Sequence, residues 1–400
     1  MRERFDDRDN PNRIAFWESG MNLEIPPIAG TRVIHTPEGD DLSYRVVGKP
    51  GGERILSIPG TPCSLAPVPR SFVLCTTGSG IEFATYDRPG SGYSTVSDET
   101  PSPTFGLSVD HVERIVDDLG WDSFALVGRS GGVLHAAAVA ASKKLGSRVT
   151  RLLLLAGPTP EEGRPADEWT RDMSDENVRM YTSVQKDPRA LAVAIRDIAR
   201  EVHREPESFL RNLFKEMQPQ DRSVLRTLGV LSLLNTSYQL AHRQGGLARY
   251  RDMLSLSDST VDLSGITAPT IVYNGLTDRF TPPFNAVNIA DKIPGSKLYL
   301  GRDAAHFNTL QVTIEALGWL AGYIVDDTFL ESLDALHKDF AEINDVSNHS
   351  QTIARQRFIE QSWSGYVAER STSFLNDRTY ATLEAWSEAL PSMMRRPRGG

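Results

Sequence analysis

The chain has 400 residues, a formal net charge of −9 and a sequence pI of about 5.5. This length exceeds one ordinary domain, so we expect a large α/β unit with insertions or a core with an appendage. The acidic balance argues against a general affinity for nucleic acid or anionic lipid, and no apolar run is long enough to cross a bilayer. The charged first residues lack the apolar region of a signal peptide, which predicts a cytoplasmic location.

The chain contains only two cysteines, Cys63 and Cys75. They are too few and too irregularly placed for a disulfide framework or a zinc site. One disulfide between them is the alternative to two free thiols, and the expected compartment favours the thiols. We expect no metal and no cofactor. From the charge and hydropathy we expect neither nucleic acid nor membrane as a partner, and the expected substrate is a small molecule.

The first part of the chain predicts an arm followed by a hairpin. Residues 1–30 carry mixed charge and several prolines without periodicity, which is typical of an N-terminal arm. Three of its apolar side chains are expected to dock on the rest of the protein: Ile14, Phe16 and Trp17. Two β-rich runs at 32–35 and 42–47 flank the turn-forming residues 37–41, which predicts an antiparallel hairpin.

Short apolar runs then alternate with helical periodicity. Strands are predicted at 54–58, 81–86, 124–128, 149–156, 269–274 and 297–300. Helices are predicted at 107–119, 133–145, 284–293 and 308–325. This alternation predicts a mostly parallel sheet with helices on both faces, that is, an α/β fold.

The strand pattern is interrupted between 158 and 262 by charge-rich amphipathic sequence. Helical segments are predicted there at 191–203, 208–217 and 224–234. An all-helical insertion of this size after a strand is most simply a cap over a site. The predicted domains are thus an arm at 1–30, a core at 31–157 and 263–325, a helical cap at 158–262, and a C-terminal extension at 326–400.

The C-terminal extension predicts helix with one apolar seam. The seam recurs at intervals of four and three residues: Phe329, Leu333, Leu336, Phe340 and Ile343. Further helix-like sequence runs over 353–390, and the Arg/Pro/Gly-rich tail at 395–400 is expected to be disordered. Three roles remain open for the extension: packing on the protein's own core, a homo-oligomerisation arm, or a wall of the active-site entrance.

The most informative stretch is the turn Gly-Arg-Ser-Gly-Gly at 128–132, between the strand at 124–128 and the following helix. A serine at a sharp strand-to-helix turn is a nucleophile elbow, which exposes Ser130 above the sheet. Gly128 and Gly132 leave room for its strained backbone. The Gly131 N–H, at the start of a helix, is free to donate to an oxyanion. The alternative is an ordinary glycine-rich turn.

A serine nucleophile needs a general base and an acid that orients the base. Asp278 follows the strand at 269–274, and His306 follows the strand at 297–300. Both positions are at strand carboxyl ends, so these residues are expected to meet Ser130 in the chain order Ser, Asp, His. His306 would take the serine proton during attack on a carbonyl, and Asp278 would fix the imidazole tautomer.

Each assignment has competitors. Other carboxylates could take the role of the acid: Asp303 and Asp258. Other histidines, expected to be structural or solvated, are His111, His135, His203 and His242. Cys63 is an alternative nucleophile, but neither an elbow nor a histidine motif accompanies it.

The second oxyanion donor is expected in the loop after the strand at 54–58. We assign the Thr61 N–H, because Gly60 lets the backbone turn toward the site and the prolines at 59 and 62 leave that donor free. The alternative is a plain proline-rich turn.

Together these stretches resemble the α/β-hydrolase fold superfamily over about residues 31–325. The residues that carry the resemblance are 59–62, 87–93, 124–132, 274–278 and His306. The Arg-Ser-Gly-Gly elbow and the Asp-Arg-Pro-Gly turn are similar to a bacterial branch of esterases and proline-iminopeptidase-like enzymes with a helical cap.

The resemblance implies a catalytic triad of Ser130, Asp278 and His306 and an oxyanion hole of Thr61 and Gly131. The chain departs from many relatives at Pro59-Gly60, where they carry His-Gly, so its oxyanion loop must be supported differently. The extension beyond 325 also lies outside the family pattern.

We therefore expect a serine hydrolase that cleaves a carboxylic ester of a small organic substrate through an acyl-enzyme. One alternative is an aminopeptidase whose cap carboxylates hold a free amine, with Glu205, Glu207 and Glu216 as candidates. A small-substrate acyltransferase and a non-catalytic binding protein on the same scaffold are the other two.

Overall fold

The computed structural model of the chain describes residues 10–18, 28–65, 70–225 and 230–345. Within them lie eight β-strands and fifteen α-helices. The helix-like sequence predicted at 353–390 and the tail at 395–400 lie outside the described residues, as do residues 1–9 and 19–27 of the predicted arm.

The eight strands form one mostly parallel sheet in the order β1-β2-β4-β3-β5-β6-β7-β8. Their bounds are β1 Thr31–His35, β2 Asp41–Gly48, β3 Glu53–Ile58, β4 Ile81–Tyr86, β5 Phe124–Arg129, β6 Val149–Leu155, β7 Thr270–Gly275 and β8 Lys297–Gly301. The pairs β1–β2 and β2–β4 are antiparallel and every other pair is parallel. The predicted hairpin and all six later strands are present, within one or two residues at their ends.

Helices cover both faces of the sheet, as predicted. Those outside the large insertion are α1 Ile14–Glu18, α2 Arg70–Gly78, α3 Leu107–Asp118, α4 Gly132–Ala141, α12 Phe284–Lys292, α13 Thr309–Glu315, α14 Leu317–Leu320 and α15 Asp326–Asp345. Helix α4 ends earlier than predicted, because Ser142 turns to extended backbone and its hydroxyl bonds to Val139 O. The helix predicted at 308–325 is two helices, and Gly322 lies in the left-handed region soon after the second ends.

The insertion between β6 and β7 consists of helices and connecting loops, with no strand among its described residues. It contains α5 Ala166–Trp169, α6 Asp175–Lys186, α7 Pro188–Arg204, α8 Pro206–Glu216, α9 Pro219–Leu225, α10 Val230–Ala241 and α11 Leu247–Asp258. The helix predicted at 224–234 overlaps the end of α9 and the start of α10, and residues 226–229 between them lie outside the described residues. Buried side chains of α1, Phe16 and Trp17, pack against the insertion, with the Trp17 ring centre 5.3 Å from that of Tyr250.

Consecutive strand residues face opposite sides of the sheet, so two apolar cores form. Leu56 packs with α3, α4 and α12, whereas Ile55 packs with α2 and with α13 to α15. Phe329 and Leu333 of the predicted seam are fully buried in this second core. The start of the extension therefore packs on its own protein. The side chains of Phe340 and Ile343 lie outside the described part, and an assembly role for 346–400 stays a prediction.

Candidate active site

Ser130 lies at the turn between β5 and α4. Its φ is +52°, in the left-handed region that side chains other than glycine rarely adopt. The backbone N–H of Ser130 donates to Leu155 O at 2.8 Å, which ties the turn to β6. A strained serine held in this way at a strand-to-helix turn is the geometry of a nucleophile elbow.

The glycines around Ser130 permit close backbone packing. A Cβ on Gly128 would lie 2.7 Å from Ala136 Cβ, and one on Gly132 would lie 2.3 Å from Ile58 O. These two glycines therefore let α4 approach β5 and β3. The sequence suggested a different reason for them, namely room for the strained backbone of Ser130. A Cβ on Gly131 would lie 2.2 Å from Thr61 Oγ1, so this glycine lets the Gly60–Thr61 loop approach.

The structure brings Ser130, His306 and Asp278 together in hydrogen-bonding order. Ser130 Oγ is 3.0 Å from His306 Nε2, and Asp278 Oδ2 is 2.8 Å from His306 Nδ1. All three are buried, with exposed fractions of 9%, 5% and 2% for Ser130, His306 and Asp278. The backbone N–H groups of Phe280 and Thr281 donate to Asp278 Oδ1 at 2.8 and 2.9 Å, which fixes the carboxylate.

The competing residues occupy other environments. Among the described residues, neither Asp303 nor Asp258 forms an ion pair with His306. Burial lowers the pKa of His111 to about 4 and that of His242 to about 3, so both are neutral near pH 7. His135 is buried in α4 and its Nδ1 is 2.8 Å from Ser108 Oγ.

The loop that carries Thr61 lies against the elbow. A Cβ on Gly60 would be 2.9 Å from Ser130 Cβ, and Thr61 N is 3.1 Å from the Cβ position of Gly131. Within the described ranges, neither the Thr61 nor the Gly131 N–H donates to a protein acceptor. Two unpartnered backbone donors thus lie beside the serine, as an oxyanion hole requires.

Arg88, in the Asp-Arg-Pro-Gly turn, stabilises this loop by hydrogen bonds to its backbone carbonyls and to the Thr61 hydroxyl. Its Nη1 donates to Pro59 O, and its Nη2 donates to Gly60 O at 3.1 Å and to Thr61 Oγ1 at 2.9 Å. Arg88 Nη2 and Nε also donate to Asp252 Oδ2 at 2.6 Å and Oδ1 at 3.1 Å. This network is the support that the structure shows for the loop at Pro59-Gly60. The turn was recognised in the sequence, but nothing there paired Arg88 with the loop.

Asp252 comes from α11, the last helix of the insertion. Its Oδ2 accepts hydrogen bonds from Thr61 Oγ1 and Arg88 Nη2, and its Oδ1 accepts one from Arg88 Nε. Burial raises the pKa of Asp252, but the charges and hydrogen bonds of Arg88 and His135 together outweigh it and hold the pKa well below the usual range. Asp252 is therefore ionised and joins the insertion to the loop beside the serine.

A second buried carboxyl also lies close to the triad. Asp221 of α9 accepts a hydrogen bond at Oδ1 from the Phe307 N–H at 2.6 Å, directly after His306. Its Oδ2 is buried with no hydrogen-bond partner among the described residues. Burial, followed by the charge of Asp278, raises the pKa of Asp221 to about 7. The sequence carried no signal for this contact.

The space beside Ser130 is a cavity between the sheet edge and the insertion. The turn at Ser130, the loop at Gly60 and Thr61, and the His306 loop form one side. Residues of α6, α10 and α11 that face it include Tyr181, Tyr238, Arg249 and Met253. Cys63 lines the same cavity, and neither cysteine is in a disulfide. Burial raises the pKa of the Cys75 thiol to about 11.

The described residues contain no group of three or more His, Cys, Asp or Glu side chains placed to hold a metal ion. None of their helices combines the length and apolar character that crossing a bilayer requires.

The sequence model of the alpha/beta hydrolase fold family matches residues 64–311, more than half of the chain. A hydrolase from Pseudomonas aeruginosa PA01 is similar in structure, with 20% identity, 74% of this chain and 100% of that chain covered, and a TM-score of 0.52. A thermophilic esterase from Thermogutta terrifontis, solved with malate bound, is 22% identical with the same coverage and a TM-score of 0.52. At these identities the structural likeness shows the fold alone. No curated protein sequence matches the chain.

Proposed function

The chain belongs to the alpha/beta hydrolase fold family, and from that premise we propose that it is a serine hydrolase that cleaves a carboxylic ester of a small organic substrate. The observation that carries the proposal is the continuous hydrogen-bonded series from Ser130 Oγ through His306 to Asp278, with distances of 3.0 and 2.8 Å. Fold alone does not define chemistry in this architecture, so the proposal depends on these three side chains.

The proposed reaction begins with attack of Ser130 Oγ on the ester carbonyl carbon. His306 Nε2 accepts the serine proton and then gives it to the departing alcohol, which leaves an acyl-enzyme. Asp278 accepts a hydrogen bond from Nδ1–H of the histidine and stabilises the imidazolium. A water that His306 deprotonates then attacks the acyl-enzyme and releases the carboxylic acid.

The negative oxygen of the tetrahedral intermediate is proposed to lie between the N–H groups of Thr61 and Gly131. Both donors are backbone groups of packed segments, so little reorganisation is needed when charge develops. Gly131 directly follows Ser130 at the start of α4, where helix N–H groups have no intrahelical acceptor.

We further propose that helices α5 to α11 act as a cap that limits the substrate to small molecules. Their residues line the side of the cavity opposite the sheet. The three glutamates suggested for binding an amine do not support the aminopeptidase alternative: Glu205 and Glu207 are exposed, and none of the three lines the cavity. Transfer to an acceptor alcohol instead of water would use the same residues, and product analysis separates the two.

The experiment is labelling with a fluorophosphonate and turnover of 4-nitrophenyl esters by four proteins: wild type, Ser130→Ala, His306→Ala and the control Ser142→Ala. Ser142 caps the C-terminal end of α4, the helix that follows Ser130, and lies outside the site. We expect Ser130→Ala to lose labelling and to reduce kcat by about 10⁴-fold or more, with the control unchanged. Labelling that persists in folded Ser130→Ala protein, or turnover that persists in His306→Ala, would show that the assignment is wrong.

A further inference from the structure

The cavity beside Ser130 contains a guanidinium group that the protein only partly satisfies. Arg129 Nε donates to Thr309 Oγ1 at 2.8 Å, and its guanidinium carbon is 5.4 Å from the centre of the Phe307 ring. These contacts fix the plane of the group in the cavity wall. Arg129 Nη2 is buried and has no acceptor among the described residues. A buried charged donor without an acceptor is costly, and a ligand oxygen would remove that cost.

The carboxylates near the cavity bind groups other than Arg129, including Asp221, which accepts from the Phe307 N–H and whose Oδ2 has no partner among the described residues. Asp278 is bound to His306, Asp252 to Arg88, and Glu176 Oε1 accepts from Arg249 Nη2 at 2.6 Å. In the described ranges, no acidic side chain forms an ion pair with Arg129. The cavity wall therefore holds one positive charge beside the nucleophile that the protein itself leaves uncompensated.

A second guanidinium lies in the same wall, but its charge is paired. Arg249 is 7% exposed, lines the cavity and is neutralised by a single hydrogen bond to Glu176. Both arginines act electrostatically on Tyr238, which also faces the cavity. A negative group that enters the cavity meets one unpaired guanidinium, that of Arg129, and one paired guanidinium, that of Arg249.

We propose that Arg129 binds a carboxylate carried by the substrate, so that the preferred substrates are small esters with one carboxylate group. This inference rests on the function proposed above and narrows it to a substrate class. A single unpaired guanidinium matches the single charge of a carboxylate, and the guanidinium is a planar donor suited to its oxygens. Arg129 and Ser130 are adjacent, so the carboxylate and the ester belong to one small molecule.

The test compares esters that differ only in charge. One pair places the carboxylate on the acyl side, mono-4-nitrophenyl adipate against 4-nitrophenyl hexanoate. The other places it on the alcohol side, 4-acetoxybenzoate against its methyl ester. For at least one pair, we expect wild type to show a higher kcat/KM for the anionic member, and Arg129→Met to lower the anionic-to-neutral ratio about 10- to 100-fold.

The control variant is Arg171→Met, which removes an arginine that is 65% exposed and outside the cavity. Its ratio should equal that of wild type. A ratio that is the same in wild type and Arg129→Met overturns the proposal, because loss of a purely structural contact would slow both esters equally. If Arg129→Met does not fold, Arg129→Lys takes its place. Lysine keeps the positive charge but lacks the planar set of donors. If wild type shows no preference for the anionic ester and Arg129→Lys has the same anionic-to-neutral ratio as wild type, the proposal is also overturned.

A binding measurement needs no turnover. Calorimetric titration of Ser130→Ala protein with monomethyl adipate, which carries a single carboxylate, should show binding that weakens about tenfold or more when Arg129→Met is added. Absence of monomethyl adipate binding, or tighter binding of a dianionic phosphate monoester, overturns the assignment to a carboxylate. Failure of the underlying function is distinguishable, since it would appear as hexanoate ester turnover that Ser130→Ala does not reduce.

Discussion

Arg88 and Asp252 form a buried, two-bond ion pair between the sheet edge and the last helix of the insertion. The Nη2–Oδ2 and Nε–Oδ1 distances are 2.6 and 3.1 Å, and the two side chains are 5% and 8% exposed. The remaining bonds of Arg88 go to the Pro59–Thr61 loop. The ion pair therefore holds a proposed oxyanion donor at a fixed distance from Ser130. One of its two partners, Asp252, belongs to the proposed cap.

We predict that Asp252→Asn lowers kcat by about 10- to 100-fold and changes KM less than about threefold. An oxyanion donor acts mainly in the transition state, so its displacement affects kcat rather than substrate binding. The variant should also bind a trifluoromethyl ketone, which forms a tetrahedral adduct, more weakly than wild type. Rates are normalised to the concentration of sites titrated with a fluorophosphonate, so that unfolded protein does not contribute.

The matched control for this prediction is Asp117→Asn. Asp117 pairs with Arg148 at 2.8 Å, but its side chain is 57% exposed, and surface pairs of this kind contribute little. Its kinetics should match wild type. A loss in Asp252→Asn that falls on KM and leaves kcat and ketone binding unchanged would contradict the positioning role.

Asp278→Asn provides a separate test of the histidine orientation. An amide in place of the carboxylate cannot stabilise an imidazolium and favours the wrong tautomer, so we predict a decrease in kcat of about 10³- to 10⁴-fold near pH 7. The pH–rate profile of kcat/KM is the measurement, with Asp303→Asn as the control, because Asp303 is the competing carboxylate closest to His306 in the sequence. Equal losses in both variants would remove Asp278 from its proposed role.

The sequence was sufficient to predict the parallel sheet and the three residues at its carboxyl edge. This succeeded because strand, turn and helix signals are local, and because parallel strands bring their ends to one edge. Ser130, Asp278 and His306 needed no knowledge of the insertion to be placed near one another. The elbow glycines were also found, although the contacts that require them, such as Ile58 O against Gly132, could not be read from the sequence.

The contacts that the sequence could not reveal come from the insertion. Arg88 and Asp252 are 164 residues apart, and Asp221 lies 86 residues from Phe307. Neither pair belongs to a spaced motif, and each depends on how α9 and α11 pack over the sheet. Helical periodicity predicts which face of such a helix is apolar, but not which polar side chain on it meets a distant loop.

Gly132→Ala should destabilise the protein because it separates α4 from β3. The added Cβ would lie 2.3 Å from Ile58 O and 2.6 Å from Pro59 O, both backbone atoms that cannot move independently. We predict a loss of about 1 to 3 kcal/mol in the free energy of unfolding, measured by urea denaturation. Gly106→Ala is the control, since its nearest contact would be 3.6 Å, and it should change the free energy by no more than about 0.5 kcal/mol. Equal effects would contradict the packing argument.

Asp221 predicts a specific pH dependence of stability. Its folded pKa of about 7 lies above the ordinary value of 3.8, so between these pH values the folded protein binds more protons on this carboxyl than the unfolded chain. The stabilising contribution is therefore complete below the ordinary pKa and is lost as the pH rises through about 7. The size of the change is on the order of a few kcal/mol.

The test is the free energy of unfolding of wild type and Asp221→Asn from pH 5 to pH 8, by urea denaturation. The amide oxygen of the variant still accepts from the Phe307 N–H, but the side chain no longer titrates. We expect the difference between variant and wild type to shift in favour of the variant as the pH rises, since only wild type must bury a charged carboxylate at pH 8. Asp122→Asn, at an exposed position, should show no such trend. A difference between Asp221→Asn and wild type that stays constant from pH 5 to pH 8 would mean that Asp221 does not titrate in this range, and that its second oxygen has a partner.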